Sequence, residues 1–162
     1  AYLAEHDSLT NLPNRASFAN KLRKQLAESL DNNRTNALLF IDLDNFKNIN
    51  DTLGHDVGDR VLQIAASRLR HIINSNDFIA RLGGDEFTII LSDTTTEDAA
   101  AVAKKVIDDF TALEIKVLLQ STDLSIQEIA DRLNFPDQSY LGRYFKRHEG
   151  VSPMEYRAEL AG

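Results

Sequence analysis

The 162-residue sequence has no cysteine, which excludes disulfide scaffolds, thiolate metal sites and cysteine nucleophiles. That absence suits a reducing compartment, and a cytoplasmic location is expected. It also lacks any apolar run approaching the ~20 residues that span a bilayer, so no membrane helix is expected. The stretch from Ala1 to Asp7 carries Glu5 and Asp7 and no basic-then-apolar block, so no secretory leader is expected. Excess positive charge is missing too. The 18 Lys and Arg against 25 Asp and Glu leave a net charge of −7, which argues against non-specific nucleic-acid binding by the chain as a whole. There is no internal repeat and no low-complexity tract. What remains is 43% hydrophobic and 27% charged, the composition of a globular chain able to build a core. The length suits one large domain or two small ones.

The segment Ser8 to Arg15 (SLTNLPNR) reads as a loop, with Pro13 among several turn formers. Ser17 is placed to cap a helix reaching about Leu30, with Phe18, Leu22, Leu26 and Leu30 on one stripe. Ala37 to Ile41 (ALLFI) is a short unbroken apolar run, the pattern of a strand buried on both faces. A loop dense in Asp, Asn and Gly follows, from Asp42 to Asp59. The region Arg60 to Ile73 predicts a helix, with Val61, Ile64, Ala65, Leu69 and Ile72 inward. Two strands, Phe78 to Leu82 and Phe87 to Leu91, flank Gly83-Gly84-Asp85-Glu86 as a hairpin. A helix then begins near Glu97. Strand, helix, strand, strand, helix is most of a ferredoxin-like α/β core, one strand short of completion.

Beyond Phe110 the chain turns helical. Ser125 to Asn134 predicts one helix, Phe135-Pro136-Asp137 a turn, and Gln138 to His148 a second helix with Leu141, Tyr144 and Phe145 inward. Gly150 stops it and Ser152-Pro153 starts a third. Helix, tight turn and helix with a basic second member is the helix-turn-helix pattern. Residues 1–113 carry 12 basic and 17 acidic side chains, net −5; residues 114–162 carry 6 and 8, net −2. The positive charge of the second part is therefore local, on Arg143, Lys146 and Arg147.

Asp42 and Asp44 directly follow the first strand, and Asp85 and Glu86 sit in the hairpin turn. If the strands 37–41 and 87–91 are neighbours, these carboxylates gather at one end of the sheet. Clustered carboxylates without Cys or His suit a hard cation, Mg²⁺, that also binds substrate phosphates. Lys47 lies close in sequence to meet a phosphate, and Gly83 and Gly84 allow close backbone approach. For one Asp-x-Asp alone, the plain alternative is the start of a solvated loop. His55 fits a structural role in the Gly54–Gly58 loop better than acid–base chemistry. His6, His71 and His148 are scattered and suggest no metal site.

Gly83-Gly84-Asp85-Glu86-Phe87 resembles the signature of the GGDEF family, the diguanylate cyclases. Asp7-Ser8-Leu9-Thr10-Asn11-Leu12-Pro13-Asn14-Arg15 resembles that family's N-terminal motif. The segments from Phe40 to Lys47 and from Asn50 to Asp59 resemble its two nucleotide-site stretches. The resemblance covers about residues 1–113. It implies a nucleotide-cyclase-type fold and condensation of two GTP to cyclic di-GMP by a homodimer. It implies Mg²⁺ (or Mn²⁺) on Asp42, Asp85 and the Leu43 carbonyl. Glu86 would help with metal or 3′-OH activation, so that Asp85 and Glu86 carry catalysis. It implies guanine recognition by Asn50 and Asp59. Phosphate contacts fall to Lys47 and to the backbone N–H groups of Asn45 and Phe46.

Two departures stand out. The family's product-inhibition motif, Arg-x-x-Asp, is here Asn74-Ser75-Asn76-Asp77, so only Asp77 of that site remains and feedback is expected to be weak or lost. The family's last strand and helix have no counterpart, so they are missing or replaced. That leaves an open edge on the first strand and a phosphate site short of cations, and activity is expected to be weak or lost.

Leu118 to Ala130 and Phe135 to Lys146, closed by Gly150, Ser152, Pro153, Tyr156 and Arg157, resemble the AraC/XylS transcription factors. Only the second helix-turn-helix of that family is present, over about residues 115–162. The resemblance implies that Gln138, Ser139, Tyr140 and Arg143 face the DNA major groove and that Lys146 and Arg147 touch phosphate. Half a DNA-binding domain with net negative charge is expected to bind DNA weakly, and a purely structural helical appendage is the alternative. Together the resemblances imply a bacterial protein with a GGDEF-type domain at 1–113 and an AraC-type segment at 114–162. That pairing points to a recombined or engineered chimera, with no joint activity as one outcome. No Gly or Pro occurs from Glu97 to Gln120, which favours one helix across the join. The rival is that residues 115–119 form the missing strand.

Overall fold

The computed structural model describes residues 2–43 and 45–162, with side chains from Ala4 onward. It divides into two compact units, residues 1–107 and 108–162.

In the first unit, a short turn of helix, α1 (Tyr2–Glu5), precedes the loop of residues 6–14, and helix α2 spans Arg15–Asn32. The cap of α2 is Asn14, not Ser17: Asn14 Oδ1 accepts the Ser17 N–H at 3.0 Å, and the helix starts earlier than the hydrophobic pattern suggests. It ends at Asn33, which adopts the left-handed conformation. Strand β1 (Ala37–Asp42) follows, then helices α3 (Phe46–Leu53) and α4 (His55–Ile72). The stretch 42–59 is therefore not a single loop. Its polar residues line the outside of α3, whose Phe46 and Ile49 are buried, and His55 is an exposed residue of the first turn of α4. On α4 the buried set is Gly58, Val61, Leu62, Ala65, Ala66 and Leu69, and Ile64 is exposed.

Strands β2 (Phe78–Gly83) and β3 (Glu86–Leu91) form the expected hairpin. The sheet order is β1-β3-β2, antiparallel throughout, with a register irregularity between Arg81 and Gly83. β3 is central, and residues Phe87 to Leu91 are all buried. β1 lies at an edge and is not buried on both faces. Leu38 and Phe40 point outward, and Phe40 is 70% exposed. Its outer neighbour is Phe18 of α2, edge-on at 6.5 Å between ring centroids. The α2 stripe is covered only in its first half: Phe18 and Leu22 are half-buried, whereas Leu26 is exposed and Leu30 is 86% exposed. An apolar strand with one covered face has the same sequence as one with two, so the pattern alone overstated its burial.

Helix α5 (Thr96–Ser121) runs through the expected join without a break, and residues 115–119 are helical, not a fourth strand. At 1.5 Å per residue its 26 residues extend about 39 Å. In the second unit its C-terminal part packs with α6 (Ile126–Arg132), α7 (Gln138–Glu149) and α8 (Pro153–Ala161). The core holds Ile115, Leu118, Leu119, Ile129, Ala130, Leu141 and Phe145. Every short helix has a side-chain cap. Ser125 and Glu128 form a reciprocal capping box, Asp137 caps α7, and Ser152 with Pro153 opens α8. Carbonyls in the last turn of α5 and just beyond it are met by Arg157, which donates to Leu119, Thr122 and Leu124.

Candidate functional site

Strand register decides the first site. Asp42, last in β1, lies directly opposite Glu86, first in β3. Gly83 and Gly84, both at positive φ, turn the chain between the strands, and Asp85 follows at once. The Leu43 N–H donates to the Asp85 carbonyl at 3.4 Å, which holds the chain after β1 beside the hairpin. Asp42 and Glu86 are exposed and Asp85 is half-buried. The three carboxylates therefore share one end of the sheet. Asp44, the fourth acidic residue of the sequence pattern, lies outside the described residues. A cleft of about 290 Å³ adjoins Asp42 and Glu86, with Arg15, Phe40 and Phe87 among its walls. Arg15 Nη2 stands 4.0 Å from Glu86 Oε2, an exposed and weak pair.

Among the described residues, no three His, Asp or Glu side chains converge to hold a metal by themselves. Two carboxylates across a strand pair do fit Mg²⁺, which keeps several waters and takes its other oxygens from substrate phosphates. The Leu43 carbonyl accepts the Phe46 N–H at 3.1 Å. It keeps a second lone pair for a cation, whereas that N–H is already used. Lys47 is exposed on the first turn of α3, and Asn45 stands at its N-cap. Asn50, on α3, turns its amide against Gly58 of α4, next to the exposed Asp59. Asp77 is engaged within the fold: its oxygens accept the N–H groups of Asn74 and Ser92.

One functional arrangement was not read from the sequence. Arg81 of β2 donates from Nε and Nη2 to the Gly84 carbonyl, at 3.1 and 2.9 Å. Its Nη1 meets both oxygens of Asp7, at 2.8 and 3.0 Å. Asp7 also accepts the Thr10 N–H and hydroxyl. Burial raises the Asp7 pKa, but the Thr10 hydrogen bonds and Arg81 outweigh it and hold the carboxyl below its ordinary value. The N-terminal loop is thus clamped to the signature turn. The signal was the Asp7–Arg15 motif itself, whose partner sits 74 residues away.

The second site is α7. Gln138, Ser139, Tyr140, Arg143, Lys146 and Arg147 are all exposed, while Leu141 and Phe145 face the core. Arg143 lies 5.9 Å from the Tyr140 ring and Arg147 6.0 Å from the Tyr144 ring. Tyr144 is tied down: its hydroxyl donates to Asp108 Oδ1 at 2.8 Å. Burial, then that carboxylate, pushes its pKa well above the usual value. Among the described residues, no helix is long and apolar enough to cross a membrane.

The model of the family "Diguanylate cyclase, GGDEF domain" matches residues 4–134. The model of "Bacterial regulatory helix-turn-helix proteins, AraC family" matches residues 119–158, so the two matches overlap. The "Signaling protein YkoW" of Bacillus subtilis is 49% identical over 163 residues, covering 95% of this chain and 20% of that protein. The "Probable diguanylate cyclase DgcE" of Escherichia coli is 46% identical over 107 residues, covering 66% of this chain and 10% of that protein. The chain thus spans a fifth or less of these relatives. Among solved structures, the diguanylate cyclase SiaD of Pseudomonas aeruginosa, in complex with its activator SiaC, superposes with a TM-score of 0.64 at 36% identity. That likeness covers 68% of this chain and 42% of SiaD. With a family match over most of its length, and with relatives alike in sequence and in fold, this chain belongs to the GGDEF family of diguanylate cyclase-like proteins.

Proposed function

We propose that the first unit is a Mg²⁺-dependent GTP-binding module of the diguanylate cyclase type. The observation that carries this is the pairing of Asp42 with Glu86 beside the Gly83-Gly84-Asp85 turn. Asp42, Asp85, Glu86 and the Leu43 carbonyl would hold Mg²⁺ (or Mn²⁺). When bound, that ion supplies charge neutralisation at the phosphates and lowers the barrier to forming a 3′-alkoxide. Lys47 and the N–H of Asn45 orient the triphosphate; the Phe46 N–H joins them once released from Leu43. Asn50 and Asp59 select guanine, because adenine would leave their polar groups unpaired. In a homodimer each ribose 3′-oxygen attacks the α-phosphorus of the other GTP, and pyrophosphate leaves. Lys47 is the one cation among these site residues, so turnover is weak or lost while GTP binding remains. Chromatography of products after incubation with Mg²⁺ and GTP, with Asp85→Ala alongside, measures turnover. Equilibrium binding then tests the site: Asp42→Ala loses Mg²⁺-dependent GTP affinity, and unchanged affinity would overturn the proposal.

The exposed polar face of α7 and the AraC-family match favour a second reading for the second unit, a DNA contact. Gln138 and Arg143 would read base edges, with Ser139 and Tyr140 beside them and Lys146 and Arg147 on phosphate. Retention on DNA at low ionic strength that falls with salt supports it. No retention leaves the second unit a structural appendage, and the chain a chimera of two families without joint activity.

A further inference from the structure

Helix α4 has a glycine inside its first turns, Gly58, buried and with no positive φ to require it. Alanine would serve the helix better, since glycine loses more backbone freedom there. What excludes alanine is space. A Cβ at Gly58 would lie 1.7 Å from Asn50 Oδ1, 2.8 Å from Asn50 Cγ and 3.4 Å from Phe46 Cε2. The first two distances are far inside van der Waals contact. Asn50 has a two-torsion side chain, so the clash at Cγ is not relieved by swinging the tip. Nor is α3 free to retreat, because Phe46 and Ile49 anchor it in the core.

Asn50 Oδ1 is buried and has no hydrogen-bond partner among the described residues. A buried unpartnered acceptor costs free energy, so its position calls for a reason. With the oxygen against Gly58, the Nδ2 end becomes the end available to a ligand. The next residue, Asp59, is an exposed carboxylate. A donor beside an acceptor matches the edge of a 6-oxopurine, where O6 accepts and N1–H and N2–H donate. It mismatches adenine, whose amine donates and whose N1 accepts.

We infer that Gly58 is a positioning residue that leaves the space in which the Asn50 amide sits, and that through this amide it supports the preference for a 6-oxopurine over a 6-aminopurine nucleotide. This rests on the GTP-binding reading of the same site.

The test uses the full chain with Mg²⁺ and a fluorescent GTP analogue, displaced by GTP or by ATP. Gly58→Ala is expected to cut the GTP-over-ATP affinity ratio by about tenfold or more. In an Asn50→Ala background the same substitution is expected to leave the ratio unchanged and to raise the thermal midpoint, because the space is then free. In the parent background it is expected to lower the midpoint. A Gly58→Ala variant that keeps its GTP preference overturns the inference. So does a Gly58→Ala effect that persists undiminished after Asn50→Ala. A parent chain with no preference for GTP overturns the nucleotide reading and the specificity claim together. In that event the reversal of the thermal shift between backgrounds still decides the steric claim.

Discussion

The two units solve the burial problem differently. Residues 108–162 close a small helical core on itself, with Phe145, Leu141 and Ile129 fully buried and every short helix capped. The first unit buries its central strand β3 on both faces but leaves Leu38 and Phe40 of the edge strand β1 open, together with Leu26 and Leu30 of α2. A helical bundle meets its backbone hydrogen bonds within each helix, so a few helices suffice to close it. A sheet leaves unpaired groups along an edge strand, and an apolar side chain on that strand stays open unless another element covers it. The lesson is that the unit carrying the nucleotide-site residues is the one whose packing is less self-contained.

Substitutions at matched positions test that contrast. Phe145→Ala should destabilise the second unit by about 3–5 kcal/mol, whereas Phe40→Ala should change stability by under about 1 kcal/mol. Urea denaturation followed by far-UV circular dichroism reads both. An equal loss at Phe40 would mean that this face is covered in solution. Next comes Val117→Pro in α5, at a buried position. It should cost about 3 kcal/mol or more if the helix is continuous. A neutral effect on the thermal midpoint would indicate a loose linker. Arg157→Met removes three hydrogen bonds to carbonyls and should cost about 1–3 kcal/mol. If the closed core alone holds the unit, the thermal shift will be negligible.

The smallest effect is expected in the first unit. Asp7→Asn weakens the clamp to Arg81 and should cost about 1 kcal/mol at neutral pH. Because the folded pKa of Asp7 lies below its ordinary 3.8, its stabilisation is complete above about that pH. It is lost as pH falls through the lower folded value. A stability profile measured from pH 5 down to pH 2 should therefore be flatter in Asp7→Asn than in the parent. Parallel profiles would show that Asp7 contributes nothing through its charge.

Much of this was legible beforehand. Gly83-Gly84 between two β-branched and aromatic runs dictated a hairpin, and the absence of Gly and Pro from Glu97 to Gln120 favoured one helix over a strand at 115–119. Ser125 and Ser152 marked helix starts because their short side chains accept the backbone N–H three residues on, as Asp137 at the end of the expected turn also does. The misreadings share a cause. Helix α3 hid in a polar stretch because two buried residues, Phe46 and Ile49, were enough to anchor it. The stripe on α2 had the right spacing, but nothing in the described residues packs over Leu30.

The sequence by itself determined the local elements, their caps, the family and the identity of the carboxylates, because each depends on neighbours within a few residues or on a motif. Only the tertiary structure decided that Asp42 faces Glu86, that Arg81 clamps Asp7 to the Gly84 carbonyl, and that Gly58 meets the Asn50 amide. Those contacts depend on strand register and helix packing between segments distant in sequence, which periodicity does not encode.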